Sequence, residues 1–193
     1  MLILSFDVGI KNLAFSVIEN NKGFENKTEL ITNTNILELK SINILNYIDD
    51  KYKTQAIKKI PIIYITRALL KALDTLLQPI LDKYTLDIIL IENQPVTMNP
   101  KMKTIQIILY TWFVYKTTSV DIKIDIKMFN ARNKLDCYTG PEYVGKLPKS
   151  KYGKTKKLSI IYVTYMMNRF MNKDTSYYFT YIKKYFLKSK KKD

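Results

Sequence analysis

Two short apolar segments that each end on an acid constrain this chain more than any other feature. Leu2-Ile3-Leu4-Ser5-Phe6-Asp7 reads as a strand finishing on a carboxylate. Val8-Gly9-Ile10-Lys11-Asn12 supplies a glycine turn, and Leu13-Ala14-Phe15-Ser16-Val17-Ile18 reads as a second strand, so the chain opens as a hairpin. Much later, Ile88-Ile89-Leu90-Ile91 is a nearly continuous apolar run, as expected for a strand buried on both faces, and it ends on Glu92. A sheet built from these strands would carry two acids, far apart in sequence, at its strand ends.

The rest of the pattern fills in around them. Strands are expected near 2–7, 12–19 and 28–39, followed by a polar connection over 40–60. Helical period then governs 62–83, where Ile65, Leu69, Ala72, Leu76 and Ile80 fall on one face. A strand over 86–92 follows. Asn99-Pro100 opens the next helix, with Asn at the cap, Pro in the first turn, and Met102, Ile105, Leu109 and Trp112 as its apolar face. Val120 to Ile126 alternates as a half-exposed edge strand, residues 129–153 read as a loop, and helices are expected at 154–171 and 175–189. This α/β order fits a ribonuclease-H-like mixed sheet. Three antiparallel strands would lead into parallel ones, with flanking helices and Asp7 on the first strand beside Glu92 on the fourth. A length of 193 residues predicts one domain, 1–193, with a core of useful size.

Composition narrows the chemistry. There are no histidines, which removes Ser-His-Asp triads, Cys-His pairs and His-bound zinc, and the one cysteine, Cys137, removes a cysteine zinc site. Hydrolysis here must use carboxylates, Lys, Tyr or a hard cation held by oxygens. The formal charge of +15, from 32 basic and 17 acidic residues, predicts a polyanionic partner, above all nucleic acid. No apolar run reaches the roughly 18 residues of a membrane span, and the chain enters its first strand without a charged leader, so neither membrane nor import signal is expected.

Cleaving a phosphodiester without histidine needs an activated water and a stabilised leaving oxygen. Two Mg²⁺ ions about 3.5–4 Å apart provide both, held by a few clustered carboxylates. Asp7 and Glu92 would supply half of such a cluster; the bland alternative is a turn cap and an ordinary ion pair. Gly9 keeps the turn beside Asp7 open, while Lys11 and Asn12 are candidates for phosphate contacts or for plain solvated turn residues. Lys146, Lys149, Lys151, Lys154, Lys156 and Lys157 form one basic stretch, with Tyr138, Tyr143 and Tyr152 within or beside it. Lys183, Lys184, Lys188 and Lys190 to Lys192 form another. Lys156 or Lys157 could neutralise charge building on the cleaved phosphate.

These segments also resemble a known family. Ser5-Phe6-Asp7-Val8-Gly9-Ile10-Lys11-Asn12-Leu13-Ala14 is similar to the opening motif of Holliday junction resolvases of the poxvirus and large-DNA-virus type, and fungal mitochondrial resolvases open similarly. Ile91-Glu92-Asn93-Gln94-Pro95 resembles the second motif, and Asn99-Pro100-Lys101-Met102-Lys103 the segment after it. Gly153-Lys154-Thr155-Lys156-Lys157-Leu158 resembles the lysine-rich segment, and Lys190-Lys191-Lys192-Asp193 the start of the last motif. The resemblance implies a Mg²⁺-dependent endonuclease, with Mn²⁺ able to substitute, that cuts four-way or branched DNA as a homodimer and uses no small-molecule cofactor. By that resemblance Asp7, Glu92 and Asp193 hold metal, Lys157 or Lys156 stabilises the transition state, and Lys11, Asn12, Lys151, Lys154 and Lys156 contact DNA. The motif set leans toward a viral protein acting in the host cell, at a cytoplasmic replication site or in the virion, more than a mitochondrial one. The family's final acids and last helix lie past Asp193, so a weakened metal site and poor cleavage are expected of these 193 residues, and a junction-binding protein without catalysis is the main alternative. Two other readings are an ATP-binding domain of the actin and sugar-kinase group, whose first hairpin also reads Asp-x-Gly, and another ribonuclease-H-like enzyme, acting on RNA–DNA hybrids.

Overall fold

Burial along the opening segment follows the pleat of a strand. The structure is a computed structural model that describes residues 1–20, 34–96, 99–118, 123–130, 133, 135, 136, 138 and 140–171, the side chains of 152 and 166–171 excepted. In β1 (Leu2–Asp7), Leu4 and Phe6 lie on one face and are 0% and 2% exposed. Ile3, Ser5 and Asp7 share the other face. β2 (Leu13–Asn20) returns antiparallel, with Asp7 opposite Ala14, and the Ser5 and Ser16 hydroxyls meet across the pair at 2.8 Å. β3 (Thr34–Ile42) lies outside β2.

On the other side of β1, β4 (Ile88–Asn93) pairs parallel, and β5 (Asp125–Asn130) pairs parallel with β4. The sheet order is β3-β2-β1-β4-β5, the mixed ribonuclease-H-like arrangement expected from the sequence. Asp87 sets the register at one end. Its carboxylate accepts the Leu2 N–H at 2.7 Å, its own N–H reaches the Leu2 carbonyl at 2.9 Å, and its carbonyl accepts the Asp125 N–H at 3.2 Å. The starts of three strands are thereby aligned, and the opposite ends line up as a consequence.

Between β3 and β4 lie 3₁₀ turns at Ile44–Tyr47 and Ile57–Lys59, the single-turn α1 (Asp50–Lys53), then α2 (Ile62–Leu76) and α3 (Gln78–Lys83). α2 buries Ile65, Ala68, Leu69, Ala72 and Leu73. α4 (Pro100–Thr118) starts where Asn99 caps it, its side-chain oxygen accepting the Met102 N–H at 3.3 Å. α4 packs on the Leu4/Phe6 face: the Phe113 and Phe6 rings stand 5.4 Å apart. α5 spans Lys151–Met171. The chain divides into two compact units, one of residues 1–19 with 37–131 and the other of 20–36 with 132–193. Among the described residues no helix is long and apolar enough to cross a membrane.

Several boundaries differ from the sequence expectation. The helix over 62–83 is two helices, because Pro79 lacks an N–H and its ring crowds the preceding turn, so the axis breaks at Leu77. The third strand runs on to Ile42 rather than stopping at 39, ending on a side chain that is 4% exposed in the core, and within it Glu38 is 7% exposed. Lys83 and Lys40 lie 3.3 and 3.4 Å from its carboxylate and the Tyr84 hydroxyl donates to it at 3.4 Å. The Tyr84 side chain and then Glu38 hold the Lys83 ammonium above its usual range. The edge strand runs on past Ile126 to Asn130, because pairing with β4 from Ile88 to Asn93 fixes its span; it starts at Asp125, and residues 120–122 of the expected strand lie outside the described residues. α5 starts at Lys151, three residues early, since the Ser150 hydroxyl caps it by accepting the Gly153 N–H at 3.1 Å. The helix expected over 175–189 and the segment 28–33 of the third strand lie outside the described residues.

Candidate functional site

The parallel register of β1 on β4 pairs Phe6 with Ile91. One residue further along each strand stand Asp7 and Glu92, on neighbouring strands about 4.8 Å apart. Partners in a parallel ladder share a face, so both acids lie on the face opposite Phe6 and Ile91. Asp7 is exposed, whereas Glu92 is 7% exposed. A buried carboxylate beside a second acid concentrates negative potential at one sheet end, and oxygen-only donors of this kind suit a hard divalent cation. Among the described residues no cluster of three or more Asp, Glu, Cys or His side chains is placed to hold a metal. Asp193, the third acid expected there, lies outside the described residues, as does Cys137.

The turn after Asp7 is tightly built. A Cβ on Gly9 would lie 2.5 Å from the Asn12 carbonyl oxygen, so no side chain fits there. The Ile10 carbonyl accepts the Ile44 N–H at 3.0 Å and ties the turn to the connection after β3. Lys11 and Asn12 are exposed on this turn, as required of residues that meet phosphates.

Behind Glu92 lies a polar cluster that sequence reasoning missed. Gln106 on α4 is fully buried. Its amide oxygen accepts the Gln94 N–H at 2.7 Å and the Lys103 ammonium at 3.1 Å, and its amide nitrogen donates to the Met128 sulfur at 2.7 Å. Lys103 also donates to the Asn93 side chain at 2.9 Å. The two residues after Glu92 are therefore clamped to α4. The available signal was a glutamine three residues after Lys103, set among the apolar positions Ile105 and Leu109. Lys101 has a different task. Its ammonium donates to the carbonyls of Ile57, Lys58 and Ile60 at 2.8, 2.9 and 2.7 Å, which uses all three of its donors.

In the other unit, Lys151, Lys154 and Lys156 are exposed on the first turns of α5. Lys157 is half-buried; it donates to the Lys146 carbonyl at 2.6 Å and stands 5.5 Å from the Tyr143 ring centre. Tyr138 stacks on Tyr162 with 3.6 Å between ring centres and meets Tyr165 edge-on at 5.5 Å. Its hydroxyl donates to the Pro141 carbonyl at 2.9 Å. Desolvation pushes the Tyr138 phenol above its ordinary value, with the two neighbouring tyrosines adding to the rise. That ring braces the loop on α5, with one of its faces taken by Tyr162.

Comparison with known proteins places this geometry in context. A family model described as mitochondrial resolvase Ydc2 / RNA splicing MRS1 matches residues 3–110, over half of the chain. The matched stretch contains Asp7, the β1–β2 turn, Glu92, Lys103 and Gln106. Among solved structures, the chain is similar to the yeast mitochondrial Holliday junction resolvase Ydc2 at 14% identity and a TM-score of 0.48, over 70% of this chain and 55% of that one. It thus spans little more than half the length of that resolvase. It is also similar to T. thermophilus RuvC in complex with a Holliday junction substrate at 9% identity and a TM-score of 0.46, over 86% of this chain and 96% of that one. Fowlpox virus resolvase in complex with Holliday junction DNA matches at 16% identity and a TM-score of 0.38, over 90% and 87% of the two chains. No curated protein matches the chain by sequence.

Proposed function

Because the chain belongs to the family of the mitochondrial resolvase Ydc2 and the RNA-splicing protein MRS1, we propose that it is a metal-assisted endonuclease of four-way or branched DNA. The observation that carries this reading is the placement of Asp7 and Glu92 side by side at one end of the β1–β4 pair. Glu92, buried and with the residues after it clamped through Gln106, is the fixed member; Asp7, exposed, is the member that faces substrate. The pair would hold Mg²⁺, with Mn²⁺ as substitute, and Asp193 is proposed as a further ligand. Such an ion supplies a water acidic enough to attack phosphorus and a counter-charge for the leaving oxygen.

The chain's own side chains do the rest. Lys157 or Lys156 would offset the charge that builds on the phosphate in the transition state. Lys11, Asn12, Lys151, Lys154 and Lys156 would hold strands through phosphates, which positions the DNA without reading its sequence. A four-way junction has two-fold symmetry, and a homodimer would present two such sites related by the same axis. A nicking assay on a four-way junction, a plain duplex and an RNA–DNA hybrid tests the reading. Nicking confined to the junction is expected; preferential cutting of the hybrid would overturn it in favour of a hybrid-specific nuclease.

One observation favours a second reading, a branched-nucleic-acid binder that does not cut. Only two carboxylates meet at the site among the described residues. Tight junction binding with no nicking in Mg²⁺ or Mn²⁺ would assign the chain to that class.

A further inference from the structure

A groove of about 730 Å³ opens along the turn that follows Asp7, walled by the β1–β2 turn, the Ile57–Lys59 turn and the start of α4. It lies wholly within the unit that holds Asp7 and Glu92. Its edge at Gly9 is two residues from Asp7, which puts the two backbones within about 7 Å of each other. Its lining combines two chemistries. Ile57, Pro100 and Met102 offer apolar surface, and the lining contains three lysines and no acid. Lys101 is turned inward and spends its donors on the 57–60 turn, so it builds the wall rather than facing the groove. Lys11 and Lys58 are exposed at the rim. Apolar surface beneath a cationic rim fits a group with a flat apolar face and an attached anion.

We propose that this groove takes one unstacked nucleotide of the DNA branch, next to the phosphate held at Asp7 and Glu92. Its base lies on Met102 and Ile57, and its phosphate meets Lys58 and Lys11. The inference rests on the nuclease reading and deepens it by placing a base contact beside the cut, where cleavage-site preference would arise. Base stacking tolerates any base but rewards the presence of one. At a branch point the flanking bases have already lost part of their stacking, so moving one into the groove costs less than it would from a continuous duplex.

The test uses the full chain, metal-free buffer, and four-way junctions lacking one base at a time on either side of the crossover. Loss of the base at one flanking position is expected to weaken binding by about tenfold, and losses elsewhere to leave it unchanged. The same loss is expected to cost less than twofold in Met102→Ala. Lys58→Gln, at an exposed side chain that tolerates change, is expected to weaken the intact junction about threefold and to make its salt slope shallower by about one. A flat scan in which no missing base matters, or a base loss that costs the same in Met102→Ala while Lys58→Gln is neutral, overturns the inference. Conversion of a dimer to a monomer by Lys58→Gln in sedimentation would give the groove to a second copy of the chain and overturn it as well. A wild-type chain that binds no junction at all would instead overturn the nuclease reading on which the groove depends.

Discussion

Asp7 and Glu92 differ in exposure, and the difference separates what their substitutions do. Glu92 is 7% exposed, so Glu92→Gln keeps its shape while removing a buried charge. We expect Glu92→Gln to bind Mn²⁺ at least tenfold more weakly by paramagnetic resonance. The lysines separate in the same way. Lys157 is anchored to the Lys146 carbonyl at 2.6 Å, whereas Lys156 is exposed. If Lys156 is the residue that meets the phosphate, Lys156→Met lowers the nicking rate at saturating junction, while Lys157→Met lowers thermal stability more than rate. The reverse pattern in the two variants would give the catalytic role to Lys157.

The elements hold this site through two contacts on the first turns of α4. Lys101 satisfies three carbonyls of the Ile57–Ile60 turn, and charge-assisted hydrogen bonds of this kind contribute about 1.5–3 kcal/mol. Lys101→Met should therefore lower the melting temperature by roughly 4–8 °C for a chain of this size, measured by circular dichroism. Gln106→Leu leaves the Gln94 N–H without its acceptor and releases Lys103; a stability loss of about 1–3 kcal/mol and weaker Mn²⁺ binding are expected together. Gln106 shows why part of the site could not be read from sequence. Lys103 is one helical turn away, but its other two partners, Gln94 and Met128, are 12 and 22 residues away, beyond any local period. By contrast, the apolar runs ending at Asp7 and Glu92, and Asn99 before Pro100, announce themselves locally. Where a local rule was outvoted, a single side chain did it: Pro79 split the helix, and Ser150 started α5 ahead of Gly153.

At the scale of the whole molecule, the excess of 32 basic over 17 acidic residues sets the salt response. If six to ten phosphates are neutralised, log affinity for a junction should fall against log salt with a slope of roughly −5 to −9. The same charge predicts less discrimination between branched and linear DNA at low salt, where non-specific phosphate neutralisation dominates the affinity. In the proposed reading the cutting is done at the sheet end, where strand order and the Asp87 bridge align Asp7 with Glu92. The most direct test of that claim is nicking of a four-way junction by the chain in Mg²⁺ and in Mn²⁺, with Asp7→Asn alongside and junction binding measured for both. Metal-dependent nicking, slow if further acids are needed, that Asp7→Asn abolishes while binding persists is the expected result. Nicking that survives Asp7→Asn unchanged, or tight binding with no nicking in either metal, would contradict a carboxylate-metal nuclease.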